Sequence, residues 1–212
     1  MRKGEATRER IIAAAAPIFN QHGYNGTSMQ QLMEATGLEK GGIYRHFGSK
    51  EELAAEAFRF SLDQVRKIRF DELSSVTGAL PKLRYMIERF VEAPSPIPGG
   101  CPLMNTAIDS DDGNPALRDL AAQALRRWRN GLARIATEGL EAGELSPGVD
   151  PRRIANVIIS TLEGALMLSR IEASRTPLAD AHATLEAWLD SLAAVENVSS
   201  PKRANTLKTQ RK

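Results

Sequence analysis

The chain has 212 residues, 42% of them apolar and 5% aromatic, and carries a net charge of +2. That apolar content is enough to bury a core, which excludes wholesale disorder, while the single cysteine, Cys101, excludes an internal disulfide framework and a multi-cysteine zinc site. A charge so close to balance carries no nucleic-acid signal of its own; the placement of the basic residues has to decide.

Ala and Leu are frequent and strand-forming residues sparse, so the chain reads as all-α, with about nine helices. The first begins near Thr7 and sets Ile11, Ala15, Ile18 and Phe19 on one face. Pro17 should bend it and Gly23 should end it. Arg2 and Lys3 ahead of the apolar run Ile11 to Phe19 loosely suggest a signal peptide, but Glu5 and Glu9 intervene, so a cytoplasmic location is expected. Thr27 and Gln30 form a T-x-x-Q capping box that opens a short second helix, ending at Ala35-Thr36-Gly37. A third helix runs from about Lys40 to His46. Ser49 and Glu52 form another box and start a fourth helix, 50–67, with Leu53, Ala57, Phe60 and Leu62 along it.

Beyond about residue 70, helices are predicted near 79–92, 102–110, 115–142, 151–173 and 178–196. Pro94 to Gly100, Asp111 to Pro115, Ser146-Pro147-Gly148 and Thr176-Pro177 mark the breaks. The apolar stretch Ile154 to Leu168 contains Glu163 and is too short to span a bilayer, so no transmembrane segment is expected. The last stretch, SSPKRANTLKTQRK from Ser199, has five basic residues and no acidic one and reads as a disordered basic tail.

Two short helices joined by Thr36-Gly37-Leu38 have the form of a helix-turn-helix, whose second helix enters the major groove of DNA. Thr27 and Ser28 offer hydroxyls and helix N-terminal N–H groups to a phosphate. Lys40 stands at the start of the third helix. Gly41 and Gly42 cost about 1 kcal/mol each relative to Ala, and their missing side chains let a backbone come close to DNA. Tyr44, Arg45, His46 and Lys50 add donors; only Glu39 has the wrong sign for a phosphate neighbour. Taken singly, Tyr44 reads equally as a core residue, His46 as a helix-end cap, and the basic cluster as a solvated face. Their order is what points to DNA. His22 and His182 stand alone and read as structural or surface residues.

The stretch TRERIIAAAAPIFNQHGYNGTSMQQLMEATGLEKGGIYRHFGSKEEL, closing on G-x-Y-x-H-F-x-S-K-E-x-L, resembles the TetR/AcrR family of transcriptional regulators from Ala6 to about Val65. The resemblance implies that Thr27 and Ser28 touch phosphate and that Lys40 to His46 lies in the groove. Tyr44, His46 and Lys50 would contact the DNA backbone, while Phe47 and Leu53 pack inside. Pro17, Leu32-Met33 and Glu39 depart from the family pattern, and Glu39 leaves the cap of the recognition helix open. The expected division is a DNA-binding domain at 6–66, a ligand-binding and dimerisation domain at 67–197, and the tail at 198–212.

The second domain carries its own pattern. Ile154, Val157, Ile158, Leu162, Ala165, Met167 and Leu168 cover more than one face of their helix. Leu178, Ala181, Leu185, Trp188, Leu189 and Leu192 stripe the last one. With their symmetry mates these helices would form an isologous four-helix interface; alone they would fill a monomer core. Tyr85, Met86, Phe90, Met104, Asn105, Ile108, Trp128, Leu132, Glu163 and Met167 are candidate walls of an effector pocket, which core packing explains equally well. Cys101 follows Pro98-Gly99-Gly100 and precedes a helix. There a depressed pKa would make a reactive thiolate; a buried, inert cysteine is the alternative.

These features together suggest a homodimer that binds a palindromic operator and is released by a small molecule, with no cofactor or metal. A thiol-based electrophile or redox sensor acting through Cys101, an activator, and a nonspecific nucleoid-type protein are the alternatives. No Ser/His/Asp arrangement, metal-ligand pair or phosphate loop points to an enzyme.

Overall fold

The computed structural model describes residues 3–93 and 95–194. Among them it forms nine α-helices and one 3₁₀ turn, with no strand. In chain order these are α1 (Lys3–Gly26), α2 (Met29–Thr36), α3 (Lys40–Tyr44), α4 (Lys50–Phe70), the 3₁₀ turn (Leu73–Ser75), α5 (Ala79–Glu92), α6 (Pro102–Ser110), α7 (Pro115–Glu141), α8 (Pro151–Ile171) and α9 (Thr176–Leu192). The expected tail, 198–212, lies outside the described residues.

Local chemistry sets most of the boundaries. Helices α6 to α9 each carry a proline in the first turn, where its fixed φ suits the helix and its missing N–H costs nothing. Asn114 and Asp150 cap α7 and α8, accepting from the N–H groups of Leu117 and Arg152. Helix α1 starts earlier than expected and continues through Pro17; its one residue with non-helical dihedrals is Gly23, at φ 71° and ψ 174°. The cap of α2 is Ser28, one residue later than the expected Thr27: Ser28 Oγ accepts from the Gln31 N–H, and the Gln31 side chain accepts from the Ser28 N–H. Ser49 caps α4 by accepting from the Glu52 N–H at 3.0 Å, while the Glu52 carboxylate takes the Gly48 N–H at 2.7 Å. Helix α3 is two residues shorter than expected, and α9 begins earlier and ends by Leu192, after which Ala193 pairs with Leu145.

Three apolar clusters hold the helices. Ile11, Ile12, Ala15, Leu32, Ile43, Phe47 and Leu53 close the first four helices together. Arg8 stacks its guanidinium 4.8 Å from the Phe47 ring and pairs with Glu56 at 3.6 Å, tying α1 to α4. The largest cluster fills the space between α5, α7, α8 and α9, from Leu83 and Ile87 through Leu132 and Ala136 to Ile158, Leu185 and Leu189. A smaller one, Phe58, Cys101, Leu103, Ala121 and Ala124, joins α4, α6 and α7. Helix α4 runs without interruption past residue 66, with Leu53 in the first cluster, Phe58 in the third and Phe70 against the largest.

Helix α8 has 21 residues, longer than the apolar stretch read from sequence, and is long and apolar enough to cross a bilayer by length and composition. In this fold one face, Ile154, Ala155, Ile158, Leu162 and Ala165, is buried in the largest cluster. Met167, Leu168 and Ile171 near its C-terminal end are exposed, Ile171 by 76%.

Leu132 is fully buried in that cluster, so Leu132→Ala should cost about 2–5 kcal/mol. Urea unfolding followed by far-ultraviolet circular dichroism reads this as a lower midpoint; an unchanged midpoint would mean that the site collapses without a cavity.

Candidate nucleic-acid interface

Helices α2 and α3 meet across Gly37, whose left-handed φ of 66° lets its N–H return to the Met33 carbonyl at 2.9 Å and end α2 in one residue. Leu32 and Ile43 bury one side of the pair, so the opposite side of α3 faces out. Lys40, Gly41, Tyr44 and Arg45 are exposed there, with Gly42 and His46 half-buried. Glu39 is the N-cap of α3 but its side chain makes no cap hydrogen bond, as the departure at that position suggests. Tyr44 is not a core residue: its hydroxyl reaches Met29 Sδ at 3.6 Å and Lys40 sits 5.9 Å from its ring.

Two expected phosphate ligands are engaged elsewhere. Thr27 is buried, and its hydroxyl donates to the Gly23 carbonyl at 2.6 Å; the exposed hydroxyl at the start of α2 belongs to Ser28. Lys50 turns inward, donates to the Tyr24 carbonyl at 2.6 Å and lies 4.5 Å over the Tyr24 ring. Burial lowers its pKa, and the charge of Asp109 pulls it back up.

The helix-turn-helix unit is bound to the rest of the fold by a polar seam between α1 and α6 that sequence reasoning missed. At Gly23 the backbone leaves the helix, and the Tyr24 N–H donates instead to Asp109 Oδ2 on α6 at 2.7 Å. One turn earlier on α6, Asn105 donates to the Asn20 carbonyl at 2.9 Å and to the Gly99 carbonyl at 2.9 Å. Buried Asn20 donates in turn to the Pro98 carbonyl at 2.8 Å. Asn114, the cap of α7, donates to Glu51 on α4 at 2.7 Å. A pocket of about 20 Å³ at this seam has room for little more than a water molecule.

Another opening, a cleft of about 310 Å³, lies between α6, α7 and α8. Leu103, Met104, Leu125, Trp128 and Ile159 supply its apolar walls, and Glu163 lies among them. Of the wall residues expected from sequence, the structure brings Met104, Trp128 and Glu163 together here. Phe90 stacks on Trp128 at 5.9 Å from within the core, and Arg69 lies 4.0 Å over the Phe90 ring. The others do not line the cleft. Met86 and Leu132 are core, Tyr85 is half-buried on α5, Asn105 belongs to the seam, and Ile108 and Met167 are exposed by 70% and 44%.

Cys101 is buried and donates its thiol to Glu163 Oε1 at 2.9 Å. Burial, and then the Glu163 charge, push its pKa well above the usual thiol range. Of the two readings of Cys101, the buried and inert thiol fits and the activated thiolate does not, because desolvation outweighs the helix end. Burial also raises the Glu163 carboxyl, against the opposing pull of the thiol hydrogen bond and the Arg69 charge.

A two-helix reading head on an all-helical body defines a helix-turn-helix transcriptional regulator. The family model described as bacterial regulatory proteins, tetR family, matches residues 11–57, and that for the tetracyclin repressor-like C-terminal domain matches residues 79–185. The chain belongs to the TetR family of regulators. A TetR transcriptional regulator from Chloroflexus aurantiacus J-10-FL has a similar structure, with a TM-score of 0.86, 43% identity and coverage of 91% of this chain and 98% of that one. The transcriptional repressor DhaR of Mycobacterium sp. (strain GP1) is 24% identical, over 91% of this chain and 97% of its own. A cysteine mutant of the regulator CifR, in complex with a 26-bp operator duplex, shares the fold at a TM-score of 0.73 and 23% identity, over 87% and 95% of the two chains.

Iodoacetamide should label Cys101 in the native protein at least about a hundredfold more slowly than in urea, since the reactive species is the thiolate and this one is both buried and protonated. Intact-mass spectrometry over time measures both rates; equal rates would show that the thiol is open to reagents.

Proposed function

We propose that the protein is a repressor that binds a palindromic operator as a homodimer and is released when a small molecule occupies the cleft between α6, α7 and α8. The observation that carries this reading is the double role of α6. Leu103, Met104 and Ala107 wall the cleft, while Asn105 and Asp109 on the same helix hold α1. An occupant that shifts α6 acts on the helix-turn-helix through those hydrogen bonds and favours a conformer whose recognition helices no longer fit adjacent grooves.

On the DNA side, α3 would lie in the major groove with Lys40 and Arg45 presented to it. Gly41 supports close approach. A Cβ there would meet nothing within 4 Å, so packing inside the protein does not require glycine. Ser28 ahead of α2, Tyr44 at the end of α3 and His46 beyond it would make backbone contacts, and the CifR complex offers a precedent for this fold on operator DNA. The dimer would form through α8 and α9, where exposed Met167, Leu168 and Ile171 give α8 an apolar end suited to a symmetry mate. Residues 6–66 would then read DNA and 67–197 would sense and dimerise, in the cytoplasm, where an operator is found.

Fluorescence anisotropy with DNA from the gene's own upstream region, against random competitor at two salt concentrations, tests the reading. Operator binding should survive competitor, and Arg45→Ala should weaken it about tenfold or more. Lys40→Ala should weaken binding on every sequence and reduce the salt slope by about one. Equal affinity for random DNA would overturn operator recognition. Asp109→Ala, which leaves the Tyr24 N–H without its acceptor, should lower operator affinity about threefold to tenfold although it touches no DNA. Unchanged affinity in that variant would disconnect α6 from the reading head.

A further inference from the structure

The main chain of Tyr24 is gripped from two other helices. In an unbroken α1 its N–H would return to the Asn20 carbonyl, and its carbonyl would accept from the N–H of residue 28. Here both partners are diverted. Gly23 turns the backbone out of the helix, the Asn20 carbonyl accepts from Asn105, and the Ser28 N–H goes to the Gln31 side chain at 2.8 Å. Charged side chains meet the two Tyr24 groups instead. Asp109 on α6 takes the N–H at 2.7 Å, and Lys50, the first residue of α4, donates to the carbonyl at 2.6 Å.

Lys50 is fitted to this place from several sides. Its ammonium lies 4.5 Å from the centre of the Tyr24 ring, so the ring and the carbonyl of one residue hold it together. The Asp109 charge favours its ionised form against the effect of burial. Its neighbour Glu51 accepts from Asn114, the cap of α7, which fixes the first turn of α4 on another side. To reach a phosphate, the ammonium would leave the Tyr24 carbonyl without this donor. It would exchange a charge-assisted bond for a contact at a wet, salt-screened surface. Lys40, exposed on α3, faces no such loss.

We propose that Lys50 is a positioning residue of the reading head and not a ligand of the DNA backbone, the role that the family resemblance suggests for it. With Asp109 it clamps both main-chain groups of Tyr24 and so fixes α4 and α6 to the break in α1. The inference rests on the operator reading for its effect on DNA affinity; the clamp itself stands on the seam.

Lys50→Met keeps the stem and removes the ammonium. Fluorescence anisotropy on the upstream operator duplex and on random duplex, over a range of salt, separates the two roles. Loss of a positioning residue should lower operator affinity about threefold to tenfold and leave random-DNA affinity within about twofold, since only contacts that depend on register suffer. The salt slope on the operator should not change, whereas loss of a phosphate ligand would reduce it by about one and weaken both duplexes alike. Added to Asp109→Ala, Lys50→Met should deepen the loss by less than about twofold, because both act on Tyr24. Unchanged operator affinity, a slope lowered by about one, equal losses on both duplexes, or losses that multiply in the double variant would each overturn the proposal.

Should Lys50→Met not fold, a crystal structure of the unaltered protein on the operator duplex decides. Lys50 Nζ on the Tyr24 carbonyl supports the clamp, and Nζ on a phosphate oxygen overturns it. Should the unaltered protein show no preference for the upstream duplex, the operator reading fails and urea unfolding judges the clamp alone. Lys50→Met and Asp109→Ala should each lower the midpoint, and the double variant should fall short of their sum; full additivity would overturn it.

Discussion

Helix α1 does not complete its own hydrogen bonding, and the arrangement of the other helices follows from that. At Gly23 the backbone turns left-handed, and the Tyr24 N–H finds its acceptor on Asp109, eighty-five residues away in the chain. A Cβ at position 23 would collide with the Asp109 carboxylate, so the glycine serves both the turn and the close approach of α6. The Thr27 hydroxyl returns to the Gly23 carbonyl and fixes the chain leaving the break, which sets where α2 begins. The start of the helix-turn-helix and its attachment to α6 are thus settled by the same few backbone groups.

Buried polar groups recur where the elements meet. Asn20 and Asn105 satisfy the carbonyls of the Pro98-Gly99-Gly100 turn, Asn114 holds Glu51, Arg69 lies over the Phe90 ring of the Phe90–Trp128 stack, and Glu163 accepts the Cys101 thiol. The large cluster among α5, α7, α8 and α9 is by contrast built from aliphatic residues on facing helices. Apolar packing makes each part rigid, and directional bonds specify how the parts adjoin. In the reading proposed above, ligand energy would be spent against the second kind of contact, which has discrete alternatives, rather than the first.

Much of the fold was legible because its signals are local. The first-turn prolines, the Gly37 turn and the Ser49 cap each need only a few neighbouring residues to be recognised. The error at α2 shows the limit. Thr27-Ser28-Met29-Gln30-Gln31 contains two overlapping boxes, and the choice fell to Ser28 because Thr27 turns back to Gly23, a consequence of the break in α1. The cleft was half legible. An acid and a tryptophan among apolar helical residues marked Glu163 and Trp128, but residue type alone could not separate them from Ile108 and Met167, whose helices turn them to the surface. The Asn20–Asn105 and Tyr24–Asp109 bonds join residues too far apart in sequence for any spacing to reveal. Cys101 was placed correctly at a helix start, yet the depth of its burial, which decides its acidity, is a tertiary property.

Helix α4 carries a mechanical consequence of its length. Its 21 residues run unbroken from the recognition unit to the large core, so it behaves as a stiff rod rather than a hinge. At about 1.5 Å per residue the rod is ~30 Å long, so a tilt of only ~5° about its Phe70 end would carry the Lys50 end nearly 3 Å, close to the ~3.4 Å rise of one base step. Angular error therefore grows with distance from the core. A disturbance too small to disrupt any packed side chain near Phe70 would amount, at the other end, to almost a full register step along the double helix.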